Sequence, residues 1–310
     1  MCEDNQTQVT EFLLLGFQGL CKFRILLFIL FFLSYIVILN GNIVIIVLIS
    51  TKDHLKIPMY IFLKHLAIAD LLITTTIVPM MLDIILKNSI TIPFSACIFQ
   101  LYCFANFGFV QCILFLMMSY DRYLAICNPL RYNAIMKPNV CHQMVAGSWL
   151  LVFFLSGEII LVCQLHFCGR NTIDHFFCDF GPMIELSTSD FSILLIVDFS
   201  ATILGIFIPF IFIIVTYVLI FYTIINIFSS TGRSKAFSTC SSHLATVCLF
   251  YGTLMGVYMT TSNESSLSTN KFKSLLYIVV TPMANPIIYS LRNHEIRLSL
   301  QQLFRNIKAF

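Results

Sequence analysis

Seven long runs of apolar residues recur along the chain, covering about 25–50, 58–84, 94–120, 140–163, 192–228, 236–260 and 274–291. A helix that crosses roughly 30 Å of hydrocarbon needs about 20 apolar residues. Within each run the apolar positions are continuous rather than alternating, which argues against the strands of a membrane barrel. Spanning segments must satisfy their own backbone hydrogen bonds, which leaves helices. The pattern predicts an all-α membrane protein, a seven-transmembrane-helix bundle, organised as one domain over residues 1–310. The second run is the weakest, because Asp70 interrupts it, but Pro58 opens it as a first-turn proline. Pro209, Pro282 and Pro286 lie inside runs five and seven and predict kinks there. After residue 291, Ile296, Leu300, Leu303, Phe304 and Ile307 share one helical face. That spacing predicts a short amphipathic helix lying on the membrane surface.

Composition points the same way. The chain is 58% hydrophobic and 11% charged, against about 25% charged for a typical soluble domain, so lipid is its expected solvent. The net charge of +3 says nothing of nucleic acid; its distribution says more. With the amino terminus outside, twelve Lys and Arg fall in the inner loops, tail and inner helix ends, and six fall outside. That bias predicts a multi-pass plasma-membrane protein with residues 1–24 extracellular and 292–310 cytoplasmic. The sequon at Asn5 agrees, because glycan acceptors face the lumen; a second at Asn263 falls in a short outer loop. No basic-then-apolar leader precedes the first run, which is expected to act as its own insertion signal. Most of the twelve cysteines lie in or beside the apolar runs, as small hydrophobes rather than a disulfide scaffold. An enzyme is not indicated: there is no nucleophile–base pair, phosphate loop or metal-ligand spacing, and no cofactor is called for. A transporter should show internal repeats and paired mid-membrane charges, and neither is present.

The third run ends in Asp121-Arg122-Tyr123, although residues 88–120 carry no Asp, Glu, Lys or Arg. This acid and base either form a boundary salt bridge that sets helix depth or work as a switch. Asp70 is an ionisable group inside the membrane, which suggests function by default. It either binds a cation or stays neutral and hydrogen-bonded within the bundle. Glu158 and Asp198 lie in the outer parts of runs four and five. Each either meets water at the headgroup level or, for Asp198 in particular, faces a cavity and favours a ligand with a basic or hydrogen-bond-donating group.

Asp121-Arg122-Tyr123, Gly41-Asn42, Asp70, Trp149 and Asn285-Pro286-Ile287-Ile288-Tyr289 together resemble rhodopsin-like G-protein-coupled receptors. A narrower resemblance is carried by MSYDRYLAICNPLRY (118–132), KAFSTCSSHL (235–244), PMANPIIYSLRN (282–293), PMY (58–60) and FCGRNTIDHFFCD (167–179). In this order they are similar to vertebrate olfactory receptors, over about residues 9–293. The resemblance implies a small volatile odorant as ligand, and a stimulatory olfactory-type heterotrimeric G protein with cyclic AMP as output. A related chemosensory receptor acting outside the olfactory epithelium is the alternative. It implies a ligand cavity between spans three, five, six and seven, drawn from Phe104, Ala105, Gly108, Phe109, Asp198, Ala201, Thr202, Gly205, Tyr251, Leu254, Met255, Tyr258, Leu275 and Ile278. Ordinary helix packing is the plainer reading of any one of these. It implies a switch built from Asp121, Arg122, Tyr123, Tyr217, His243, Asn285, Pro286 and Tyr289, with an inert packed histidine as the alternative for His243. It places a cation or proton site at Asp70, Asn42 and Asn285, where Gln111 replaces the second carboxylate usual in this family. It pairs Cys97 with Cys178; Thr188 stands where the family usually has the further loop cysteine that pairs with Cys168, so that second bridge is expected to be absent or Cys168 to find another partner. Retinal would need a lysine inside 274–291, and there is none; a biogenic-amine receptor would need an acid where Phe104 stands.

Overall fold

The computed structural model describes residues 9–258 and 267–308. Six described helices are long and apolar enough to cross a membrane: Arg24–Thr51, Pro58–Lys87, Phe94–Cys127, Pro138–Cys163, Ser192–Ile225 and Lys271–Leu291. A further long helix, Ser230–Tyr258, packs against spans three, five and seven and completes a seven-helix bundle as span six. Spans two, three and seven form its centre, each with 56% of its most apolar window buried. Spans one, four and five form the rim, with 28%, 24% and 22% buried. Their outer faces carry large exposed apolar side chains such as Leu26, Phe154 and Phe212, as lipid demands.

Proline shapes spans five and seven. A proline removes one helix hydrogen bond and crowds the carbonyl four residues before it. Each span opens into a wide π-turn just ahead of its proline, at Ile203–Phe207 before Pro209 and at Leu276–Val280 before Pro282. Pro286 in turn frees the Pro282 carbonyl, which accepts a hydrogen bond from Asn42 Nδ2 at 3.1 Å. That bond requires spans one and seven to lie close together. Gly41 permits it, since a Cβ there would sit 3.0 Å from the Pro286 ring. The Gly41-Asn42 pair and the span-seven prolines are thus one packing unit. Trp149 of span four packs edge-on against Phe107, with ring centroids 6.0 Å apart.

The end of the bundle nearest the amino terminus is roofed. Strand β1 (Glu11–Leu15) pairs antiparallel with β2 (Ser89–Pro93) and parallel with β3 (Thr172–Ile173), giving the order β2-β1-β3. Phe12 and Leu14 alternate inward and are fully buried, as a half-buried strand requires. The Cys97–Cys178 disulfide ties the long loop to the start of span three, with Cα atoms 5.4 Å apart; Cys168 is disulfide-bonded as well. Lys271, at the head of span seven, is 5% exposed. Its ammonium donates to Gly16 O at 2.9 Å and to Asp174 at 2.5 Å, joining β1, the loop and span seven. At the opposite end, His294–Lys308 is the amphipathic helix expected of the tail, with Ile296 buried beneath it. Asn5 and Asn263 lie outside the described residues.

Gly41→Val should drive span one away from Pro286 and break the Asn42–Pro282 bond. Overpacking of this kind costs about 1–3 kcal/mol. Thermal unfolding of the purified protein in nanodiscs should therefore show a midpoint several degrees lower; an unchanged midpoint would mean that the contact is not under constraint.

Candidate functional site

Beneath the roof lies a cavity of about 250 Å³. Phe104, Ala105, Gly108 and Phe109 line it from one face of span three. Asp198 and Thr202, one turn apart on span five, line it too, with Leu254 of span six and Ile278 of span seven. Of the other residues expected there, Ala201, Gly205, Tyr251, Met255 and Leu275 do not. Ala201 and Gly205 sit on a neighbouring face of span five, rotated off the cavity by the 3.6-residue period. Gly205 stands directly behind the Phe109 ring, which a Cβ at that position would overlap. Tyr251 and Met255 line a separate apolar recess of about 40 Å³ against span five, where Tyr251 stacks on Phe210 with centroids 4.5 Å apart. Leu275 is buried but outside the cavity wall, because Ser274, Tyr277 and Ile278 form the inward face of span seven. The Tyr258 side chain is outside the described set.

Several lining residues were not anticipated. Tyr277 and Phe250 form part of the wall, with ring centroids 5.6 Å apart. The spacing Ser274, Tyr277, Ile278 was available in the sequence as a helical face. Phe177, Asp179 and Phe180 reach in from the long loop, and no periodicity could have announced them. Glu158, for which water at the headgroup level was the plainer of two readings, lines the cavity. The cause is a break in span four. The helix Pro138–Leu155 stops at Ser156 and restarts at Glu158, and Ser156 Oγ donates to Asn106 Oδ1 of span three. In the roof, burial and the Lys271 ammonium hold His175 down at about 3, so its imidazole is neutral at physiological pH. Burial, opposed by the Phe180 N–H and reinforced by the charge of Asp198, pushes Asp179 up to about 6.

A hydrogen-bonded path leads inward from the cavity. The Tyr277 hydroxyl donates to Gln111 Oε1 at 3.1 Å, and Gln111 Nε2 donates to Asp70 Oδ1 at 2.7 Å. Asn285 Nδ2 donates to Asp70 Oδ2 at 2.9 Å. All four residues are buried, Asp70 completely. Each carboxyl oxygen of Asp70 therefore accepts one amide N–H. Asn42 was expected to assist Asp70, but its amide donates to Ile38 O and Pro282 O, because the prolines of span seven leave a carbonyl that needs a donor.

At the opposite end of the bundle, Arg122 forms an ion pair with its neighbour Asp121, Nη2 to Oδ2 at 2.7 Å. The Tyr132 hydroxyl donates to the other Asp121 oxygen at 2.8 Å. Tyr217 OH and His243 Nδ1 are 2.5 Å apart, and Tyr289 OH and Thr246 Oγ1 2.8 Å. Arg122 is thus held by Asp121, while Tyr217 and His243 pair with each other and Tyr289 with Thr246. Tyr123 stacks on Tyr120 with centroids 6.5 Å apart.

Comparison with known proteins covers nearly the whole chain. The family model described as olfactory receptor matches residues 31–306. Olfactory receptor 11L1 of Homo sapiens is 43% identical over 97% of this chain and 94% of its own length. Olfactory receptor 10A7 of Homo sapiens is 44% identical, over 96% and 94%. Olfactory receptor 1 of Rattus norvegicus is 41% identical, over 98% and 97%. Among solved structures, squid rhodopsin superposes with a TM-score of 0.74 over 93% of this chain and 87% of its own, at 20% identity, a likeness of fold.

The Asp70 geometry makes a direct prediction. Two carboxylates in contact within an apolar bundle need a proton or a cation between them. Gln111→Glu should therefore make thermal stability rise with sodium chloride relative to choline chloride, whereas the unaltered protein should respond equally to both. Equal responses in the variant would show that Asp70 and residue 111 do not share a cation-sized site.

Proposed function

The chain belongs to the olfactory receptor family of rhodopsin-like G-protein-coupled receptors, and from that premise we propose that a small volatile ligand occupies the cavity described above and activates a stimulatory olfactory-type G protein, raising cyclic AMP. Family membership makes it a multi-pass membrane protein and a signalling receptor rather than an enzyme, with an odorant and a G protein as its general partners. The finer reading puts the roofed end outside the cell, the amphipathic tail helix in the cytoplasm and the receptor in the plasma membrane. The twelve-to-six distribution of basic residues supports that orientation.

One observation carries the mechanism: the cavity wall and the centre of the bundle share the Tyr277–Gln111–Asp70–Asn285 hydrogen bonds. A ligand that pushes on Tyr277 or its neighbour Phe250 disturbs groups that cannot find other partners in an apolar bundle. Asn285 stands directly before the Pro286 kink, and Tyr289 lies one turn further on. A ligand that fits the displaced arrangement better shifts the population toward it. Release of Arg122 from Asp121, with new contacts to Tyr217, His243 and Tyr289, then opens a cleft for the G protein as span six moves. Arg131, Lys137, Arg233 and Lys235 would border that cleft. The paired state of these groups described above fits the resting receptor.

Arg122→Ala should abolish agonist-evoked cyclic AMP while surface staining persists. Asp121→Asn weakens the resting ion pair and should raise ligand-independent cyclic AMP several-fold. Full agonist response in a surface-expressed Arg122→Ala receptor would refute the switch.

A further inference from the structure

The cavity presents three carboxyl groups, Glu158 from span four, Asp179 from the loop and Asp198 from span five, and no Lys, Arg or His among its described lining. Like charges gathered in an apolar site repel one another, and a buried carboxyl oxygen without a donor is costly. Asp179 has one oxygen engaged, accepting from Phe180 N at 2.9 Å. Glu158 Oε2 is buried and has no hydrogen-bond partner. Nearby donors are committed elsewhere: the Ser156 hydroxyl to Asn106 Oδ1 and Val152 O, and the Asn106 amide to Tyr102 O. Among its described lining the site therefore lacks a positive charge, and Glu158 Oε2 lacks a donor. Around the acids stand Phe104, Phe109, Phe177, Phe180 and Phe199. Aromatic faces attract cations and also pack against hydrocarbon.

We propose that this acidic pole binds the protonated amino group of a small aliphatic or aromatic amine, whose apolar body lies against Phe104, Phe109 and Ile278. An ammonium group supplies one positive charge and up to three donors, the complement of what the carboxyl groups lack. Charge-assisted hydrogen bonds of this kind are the strong ones. The inference rests on the odorant-receptor reading and names the ligand class for the same cavity. The recess beside Tyr251 shares Thr202, Ile206 and Leu254 with the cavity wall and is wholly apolar, so the amine end and the hydrocarbon end of a ligand have separate places.

The test uses the full chain in cells carrying a G-protein activation sensor, with heptylamine and cyclohexylamine set against heptan-1-ol and cyclohexanol. The amines should be at least roughly tenfold more potent than the alcohols of the same shape. Asp198→Asn should lower the amine-to-alcohol potency ratio by about tenfold or more, and Asp198→Glu should keep it. A purely structural role for Asp198 would weaken both ligand types alike. Glu158→Gln makes the same test from another helix should the Asp198 variant fail to reach the surface. In parallel, thermal unfolding of the purified receptor is followed with each amine, each alcohol and sodium chloride at matched concentration. The amines alone should stabilise it. Stabilisation by amines without any G-protein response would keep the amine site and overturn the signalling reading. Alcohols acting as strongly as amines, or sodium stabilising as well as they do, would overturn the amine inference and leave the odorant reading standing. No stabilisation by either amine, with no response, would also overturn it.

Discussion

A buried carboxyl group at the centre of an apolar bundle governs how the rest of this protein is put together. Lipid offers no hydrogen bonds, so Asp70 must find its partners on other spans. It takes one from span three through Gln111 and one from span seven through Asn285. Those two amides set the depth and rotation of both helices relative to span two. Spans two, three and seven are consequently the buried centre, and the other four pack around them. Span one joins by the same logic, since Pro286 leaves a carbonyl without a donor and Asn42 supplies one.

The roof is a second consequence of unsatisfied polar groups. The long segment 164–191 between spans four and five cannot leave its buried backbone groups unpaired over the cavity. It is held by the disulfide to Cys97, by pairing of Thr172 and Ile173 with β1, and by the Lys271 clamp. Gln100 of span three adds a fourth tie, accepting from Cys178 N at 2.9 Å. These restraints present Phe177, Asp179 and Phe180 to the space below. The broken fourth span brings in Glu158. The cavity is thus acidic on the side where the loop meets spans four and five, and aromatic toward span seven.

The end of the bundle around Arg122 follows a different rule. Its polar groups, Asp121 with Tyr132, Tyr217 with His243 and Tyr289 with Thr246, are matched in nearby pairs rather than in one long network. Local pairs can exchange partners without unfolding the helices that carry them. The Asp70 centre lacks that freedom, which suits it to transmit displacement rather than absorb it.

The seven spans, their boundaries to within a turn or two, the amphipathic tail and the family were all legible in the chain itself. Lipid imposes a length and an apolar composition on each crossing, and these can be read locally. The Cys97–Cys178 pair and the Asp70, Asn285 and Arg122 positions were legible through their motifs. Which side of a span faces the cavity was not: Ala201, Gly205 and Leu275 are small or apolar enough to line it but are rotated away, while Tyr277 and Phe250 face in. The strand at Glu11–Leu15 was also hidden, because its partners lie at Ser89–Pro93 and Thr172–Ile173 and nothing within EFLLL distinguishes a strand. The direction of Glu158 was not legible either, because a helix break changes the direction of every residue after it. Membrane insertion depends on local hydropathy, whereas rotation, strand pairing and cavity lining depend on contacts between segments far apart in the chain, and those exist only once the bundle is assembled.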